Sequence, residues 1–290
     1  MKKIAIVTGA NNGLGYETTL ALTNEGYKVI MACRNLEKAE IAKQKILNSI
    51  PNADLEIMQI DLGDLSSIRN FSSRYLEKYN QIDLLINNAG VLEIKMKYTK
   101  DHLESNIGIN YFGHFLLTNL LFDCIKNTAN SRIVSLGSIA HKQVKKLFTK
   151  VEELDPKYYS AYAQSKLACL MFSYELQRRI DTANYQTLSV ASHPGVSITS
   201  IGRELPNFIL KLQDYFGSFF FSDSKTGAEA SIYAAINKDV KGGDYFGPNG
   251  FREIKGKVVK VGSSKLSKNQ EKAKELWLLS EKITGEKFLV

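Results

Sequence analysis

The sequence predicts a doubly wound α/β fold, a single parallel sheet with helices on both faces. Three observations carry this reading. Short apolar runs alternate with helix-length amphipathic stretches, as in βαβ units. The runs are apolar enough to be buried on both faces. Each also ends in a cluster of Gly, Asn, Asp, Ser or Pro.

The runs are "KIAIVTGA", "YKVIMACR", "LEIMQIDL", "IDLLINNAG", "SRIVSLGS" and "YQTLSVASHPG". In sheets of this kind ligands bind beyond the carboxyl ends of the strands, where this chain concentrates its glycines and polar residues. The 290 residues, 44% of them hydrophobic, suffice for a large core. With no internal repeat, low-complexity tract or linker, the chain reads as one domain over residues 1–290.

Lys and Arg number 38 against 30 Asp and Glu, a net charge of +8. The lysines are scattered among glutamates, most densely in "KGKVVKVGSSKLSKNQEKAKELW", so they read as a solvated basic face and no nucleic-acid partner is expected. The positive field still favours anionic ligands such as phosphates. Cys33, Cys124 and Cys169 are far apart, with no Cys-x-x-Cys and no metal-like grouping with the four histidines. Reduced structural thiols and no metal site follow. "MKKIAIVTGA" runs straight into a strand without a leader-like apolar stretch, and no later run approaches a membrane span. The expectation is a cytoplasmic protein.

After the first run, "TGANNGLGYETTLAL" sets Gly9, Gly13 and Gly15, with Asn12 and Leu14 between them, against the start of an amphipathic helix. Glycines there let the backbone turn tightly and bring a pyrophosphate to free N–H groups. A ligand-free structural turn is the alternative. The second run ends at Arg34 and Asn35, where dinucleotide folds place either an acid for the ribose hydroxyls or an Arg for a 2′-phosphate. Arg34 there favours NADP(H) over NAD(H), unless it is an ordinary surface Arg. Asp61, followed by Leu62, is placed to accept from an adenine amino group, to cap the next helix, or both.

"SAYAQSKLA" sets Tyr162 and Lys166 four apart, on one helix face. That spacing permits proton chemistry without demonstrating it. With "NNAG" closing the fourth run (Asn88, Ala89 and Gly90 at its end), Asn110 in "IGINYFGHFLL", Ser138 in "IVSLGSIAH" and "HPG" at 193–195, the chain resembles the short-chain dehydrogenase/reductase family over nearly its whole length. "ACRNLEKAE", "NYFGHFLLTNLL", "HPGV" and "AKELWLLSEKITG" look like the branch of retinol dehydrogenases and the WW-domain-containing oxidoreductase, near light-dependent protochlorophyllide reductase.

The resemblance implies a Rossmann fold and a catalytic set of Asn110, Ser138, Tyr162 and Lys166. Tyr162 would exchange a proton with the substrate oxygen. Lys166, with the positive nicotinamide in the oxidative direction, would lower the pKa of Tyr162, and it would bond the nicotinamide ribose. Ser138 would orient the substrate, and Asn110 would hold a water linking Lys166 to solvent. Pro194, Gly195, Val196 and Thr199 would turn beneath the nicotinamide amide, with His193 structural. "SLGS" replaces the usual pair of adjacent serines, and an insertion near 139–159 precedes the catalytic helix. A substrate lid is expected near 200–225, whose aromatic segment 205–221 holds Phe208, Tyr215, Phe216, Phe219, Phe220 and Phe221. The implied function is NADP-dependent hydride transfer to or from a small lipophilic carbonyl or alcohol. The alternatives are a silent dinucleotide-binding regulator and a protochlorophyllide-reductase-like enzyme. Family relatives are often homodimers or homotetramers, and some of this branch are monomers.

Overall fold

The computed structural model describes residues 2–93, 97–150, 160–195 and 223–290. Val196, Thr199, residues 200–222 of the expected lid and residues 151–159 of the insertion lie outside the described residues.

In chain order the main elements are β1 (Ile4–Thr8), α1 (Gly13–Asn24), β2 (Lys28–Cys33), α2 (Leu36–Ser49), β3 (Asp54–Gln59), α3 (Leu65–Lys78) and β4 (Leu84–Asn87). There follow a short α4 (Ser105–Ile107) leading through a π-helical turn, Gly108–Phe112, into α5 (Gly113–Lys126), then β5 (Arg132–Leu136), α6 (Ser160–Thr182) and β6 (Leu188–Ser192). The C-terminal part holds α7 (Ser224–Ile236), β7 (Tyr245–Pro248), β8 (Val258–Lys260) and α8 (Gln270–Thr284).

All eight strands form one sheet in the order β3-β2-β1-β4-β5-β6-β7-β8. The six strands predicted from the sequence are present and parallel. The sheet also gains two strands that the sequence reading did not name: β7 is parallel to β6, and β8 runs antiparallel to β7. Both are short, and β7 contains Gly247 and Pro248, residues that weaken a strand signal.

Alternation along each strand sorts side chains into two cores. Ile4, Ile6, Ile30 and Leu85 face one, closed by Phe71 of α3, Phe115 of α5, Phe172 of α6 and Trp277 of α8. Ala5, Val7, Val29 and Leu84 face the other, against Leu22 of α1, Ile46 of α2 and Ala234 of α7. This is the two-sided burial that the apolar runs require. Local signals start the helices: Asn35, Asp64, Asp223 and Asn269 accept from backbone N–H groups at the starts of α2, α3, α7 and α8. Capping of α3 thus falls to Asp64 and not to Asp61. Asn12 at the start of α1 makes no such side-chain bond, which leaves the first-turn donors of that helix available.

The direction of winding reverses at β1, which pairs with β2 on one side and β4 on the other. A crevice opens beyond the carboxyl ends of these strands.

Candidate active site

A cleft of about 340 Å³ occupies that crevice. From the loop after β1 and the start of α1 it takes Gly9, Asn12, Gly13, Leu14 and Gly15. Arg34 and Asn35 come from the end of β2, Asp61 and Leu62 follow β3, and Asn88, Ala89 and Gly90 follow β4. Tyr162 and Lys166 of α6, with Pro194 after β6, complete the wall. The structure therefore brings fifteen sequence-predicted residues to one surface.

The glycines serve close approach. Gly9 and Gly13 have φ of 66° and 53°, the left-handed region where a side chain is strained. A Cβ added to Gly15 would lie 2.2 Å from the Gly9 carbonyl oxygen and 2.5 Å from Asn88 Nδ2. The loop after β4 is pinned across this gap. Asn88 Nδ2 donates to the Thr8 carbonyl at 2.7 Å, and the Asn88 and Ala89 N–H groups both donate to Thr8 Oγ1 at 2.9 Å.

His114 extends that network. Its Nδ1 lies 2.9 Å from the Asn110 carbonyl, which can only accept, so Nδ1 carries the proton and Nε2 accepts from Thr8 Oγ1 at 2.9 Å. Burial pushes the His114 pKa down to about 4, so the ring is neutral at physiological pH.

Asn110 lies in the π-helical turn, buried. Its Oδ1 accepts from Val91 N at 2.7 Å, and its Nδ2 donates to Val91 O at 2.9 Å and Ser165 Oγ at 3.0 Å. The Cys169 thiol also donates to its carbonyl at 3.1 Å. Both atoms of the side-chain amide are thus engaged in fastening the loop after β4 to α6. An added Cβ on Gly90 would come within 3.2 Å of Asn110 Oδ1 and 3.4 Å of Lys166 Nζ, so these groups meet beneath the cleft floor.

Tyr162, Ser138 and Lys166 are all buried. The Tyr162 hydroxyl is hydrogen-bonded to Ser138. Lys166 Nζ donates to the Leu136 carbonyl at 2.9 Å and sits 5.9 Å from the centre of the Tyr162 ring. Burial pushes the Tyr162 pKa up to about 12, against the opposing hydrogen bond from Ser138. Burial also pushes Lys166 down, and its ammonium is aimed at a backbone carbonyl. Desolvation of the phenolate therefore outweighs the Ser138 hydrogen bond, and the Tyr162 phenol is neutral.

Ser138 caps a 3₁₀ turn, Ile139–Gln143, by accepting from Ala140 N at 3.2 Å. Its neighbours Leu136 and Gly137 line the cleft. Gly195, at φ 74°, donates to His193 Nδ1 at 3.2 Å and lies behind the cleft wall that Pro194 forms.

Sequence reading missed Thr8, His114 and Lys38. Lys38 in the first turn of α2 and Arg34 just before the helix cap Asn35 both line the cleft, and both are exposed. The signal was present as a second cation in "RNLEK" at helical spacing. Asp61 is the sole acidic residue among the described residues of the cleft, and its Oδ1 accepts from Gly63 N at 2.9 Å.

The cleft suits a dinucleotide: a glycine cradle that a Cβ would fill, an uncapped helix start, cations at one end and a buried Tyr–Ser–Lys group at the other. Among the described residues no helix is long and apolar enough to cross a membrane, and no group of His, Cys, Asp and Glu could hold a metal ion.

Comparisons with known proteins agree. Residues 3–207 match the short chain dehydrogenase family model. Mouse retinol dehydrogenase 13 is 36% identical, over 98% of this chain and 84% of the mouse protein. Human retinol dehydrogenase 11 is also 36% identical, over 84% and 76% of the two chains. The crystal structure of an uncharacterized protein from Mycobacterium paratuberculosis superposes with a TM-score of 0.80 at 34% identity, covering 99% of this chain and 95% of that one. The RhlG/NADP complex of Pseudomonas aeruginosa shares the fold at a TM-score of 0.66 and 20% identity, over 84% and 93% of the two chains. The chain belongs to the short-chain dehydrogenases, in the retinol dehydrogenase branch, and is a hydride-transferring alcohol/carbonyl oxidoreductase that uses a nicotinamide dinucleotide and a small-molecule substrate.

Proposed function

We propose that this chain is a single-domain, NADP(H)-dependent carbonyl reductase or alcohol dehydrogenase for small lipophilic substrates. The observation that carries the cofactor preference is the pair Arg34 and Lys38, exposed together at the cleft's edge, with Asp61 already turned toward its own loop. Two cations at one edge of the cleft match a 2′-phosphate, whereas ribose hydroxyls call for an acid. Glu37 lies between them in sequence but does not line the cleft.

When bound, the nicotinamide supplies or takes up the hydride. The residues of the chain do the rest. Neutral Tyr162 holds the proton that the substrate oxygen takes in reduction. Ser138, bonded to Tyr162, orients that oxygen. Lys166, buried beside the Tyr162 ring, would bond the nicotinamide ribose and would keep positive charge beside the developing alkoxide. Asn110 holds the floor of the cleft in register with α6. The lipophilic substrate class is supported by the retinol dehydrogenase relatives and by the aromatic sequence at 205–221.

The test is steady-state turnover with NADPH and NADH on aldehydes of increasing chain length. NADPH should be preferred, kcat/KM should rise with chain length, and Arg34→Ala should shrink the ratio of NADPH to NADH efficiency at least tenfold, the loss of roughly one charge-assisted contact. An unchanged ratio would remove Arg34 from cofactor choice, and a flat or falling series would remove the lipophilic substrate.

A further inference from the structure

We propose that Glu253 is a positioning residue for the reaction, clamping the turn that carries Ser138 to the turn that carries Pro194 and Gly195. The proposal rests on the roles given above to those two turns.

Glu253 belongs to a short 3₁₀ turn, Phe251–Glu253, in the loop between β7 and β8. Neither motif nor spacing in the sequence points to it. Its carboxylate has one oxygen for each turn. Oε1 accepts from Lys142 Nζ at 2.6 Å, and Lys142 sits in the 3₁₀ turn that Ser138 caps. Oε2 lies 3.1 Å from Nε2 of His193, which is fully buried. This arm is a close polar contact without hydrogen-bond geometry. Because the Gly195 N–H donates to Nδ1, the His193 proton is on Nε2 and faces the carboxylate.

The local architecture is built around these contacts. A Cβ on Gly247 would lie 2.0 Å from His193 Nε2, so only glycine in β7 leaves room for the imidazole. One on Gly195 would lie 2.1 Å from the Ile254 carbonyl oxygen, so the Pro194–Gly195 turn rests directly on the residue after Glu253. Arg252 and Glu253 have φ of 51° and 58°, two successive side-chain-bearing residues in the left-handed region. Strain of this kind persists only where surrounding contacts over-determine it, and it concentrates at functional sites. Behind Ser138 a second histidine completes the wall. His141 Nδ1 donates to the Ser138 carbonyl at 2.6 Å, and its ring, like that of His193, packs on Tyr245. His193 first, and then Lys142, hold the Glu253 carboxyl down to about 2 against the effect of burial, so the clamp stays charged at physiological pH.

The function follows from geometry. Ser138 must place the substrate oxygen against Tyr162, while the Pro194 turn lines the nicotinamide end of the cleft. A carboxylate bonded to one turn and in close polar contact with the other fixes the separation on which donor and acceptor alignment depends. A displacement of about 1 Å can lower a rate about a hundredfold.

The test compares Glu253→Ala, Glu253→Gln, Lys142→Met and the Glu253→Ala/Lys142→Met double variant with the parent, using kcat at saturating NADPH and aldehyde, NADPH Kd and melting temperature. Lys142→Met alters a half-exposed side chain and should leave folding intact. The expected result is a kcat lower by about ten- to a hundredfold in Glu253→Ala, a smaller loss in Glu253→Gln, a loss of several fold in Lys142→Met, and a double variant no slower than Glu253→Ala. NADPH Kd should change less than threefold. A kcat unchanged in Lys142→Met, or additive losses in the double variant, would overturn the clamp. Ser138→Ala, run in parallel, reports on the catalytic reading separately. Hydrogen exchange at Ala140 and Gly195 needs no turnover: faster exchange in the Glu253 variants supports the clamp, and unchanged exchange defeats it.

Discussion

Tyr162→Phe is expected to bind the dinucleotide as the parent does and to lose turnover by about 10²–10⁴-fold, the range of general acid–base catalysis. The loss corresponds to about 3–5 kcal/mol of transition-state stabilisation. The substitution removes one hydroxyl and keeps the ring, which packs with Ala140 and Ala163, so the fold should be preserved. The raised pKa of Tyr162 sharpens the expectation. With its pKa pushed up to about 12, the phenol is protonated throughout the physiological range and serves as donor in reduction. No deprotonation of Tyr162 should therefore limit aldehyde reduction between pH 6 and 9. Single-turnover rates and NADPH Kd for both proteins check this, and a Phe variant within a few-fold of the parent would remove Tyr162 from proton transfer.

Gly15→Ala is expected to weaken dinucleotide binding by about ten- to a hundredfold. The added methyl group would sit 2.2 Å from a backbone oxygen and 2.5 Å from Asn88 Nδ2, and neither belongs to a free side-chain end. Asn88 is held to Thr8 and cannot swing away without releasing the loop after β4. Relief must come from separating α1 from the glycine loop, at roughly 1–3 kcal/mol, and that gap is where a pyrophosphate would lie. Gly26→Ala is the matched control. Gly26 has φ 81° with nothing within 4 Å of an added Cβ, so the change costs about 1–2 kcal/mol of stability and leaves binding untouched. Titration of NADPH into both variants separates the two cases, and equal Kd values would show that Gly15 is a folding glycine only.

The six parallel strands were legible because each is a continuous apolar run with a glycine or polar stop. β7 and β8 were not, since a four-residue strand with Gly247 and Pro248 inside it looks like a turn. Motif order located the cleft, and the fold then gathered residues as distant as Gly9 and Pro194 on one surface. What the motifs hid was physical state. Proximity of Lys166 is visible in the motif, but the burial that pushes the Tyr162 pKa up is not. The side-chain amide of Asn110 bridges Val91 and Ser165, contacts that no motif displays. Glu253 carried no signal at all, because its partners Lys142 and His193 lie 111 and 60 positions away in sequence.

The central claim is hydride transfer between a nicotinamide bound in the β1–β4 crevice and a carbonyl held by Tyr162 and Ser138. The most direct measurement is to supply NADPH dideuterated at nicotinamide C4 together with a long-chain aldehyde and to analyse the product by mass spectrometry. One deuterium is expected on the carbinol carbon for each NADPH oxidised, with loss of that product in Tyr162→Phe. NADPH consumed without deuterium in the alcohol, or no alcohol formed from any aldehyde of the series, would contradict the claim.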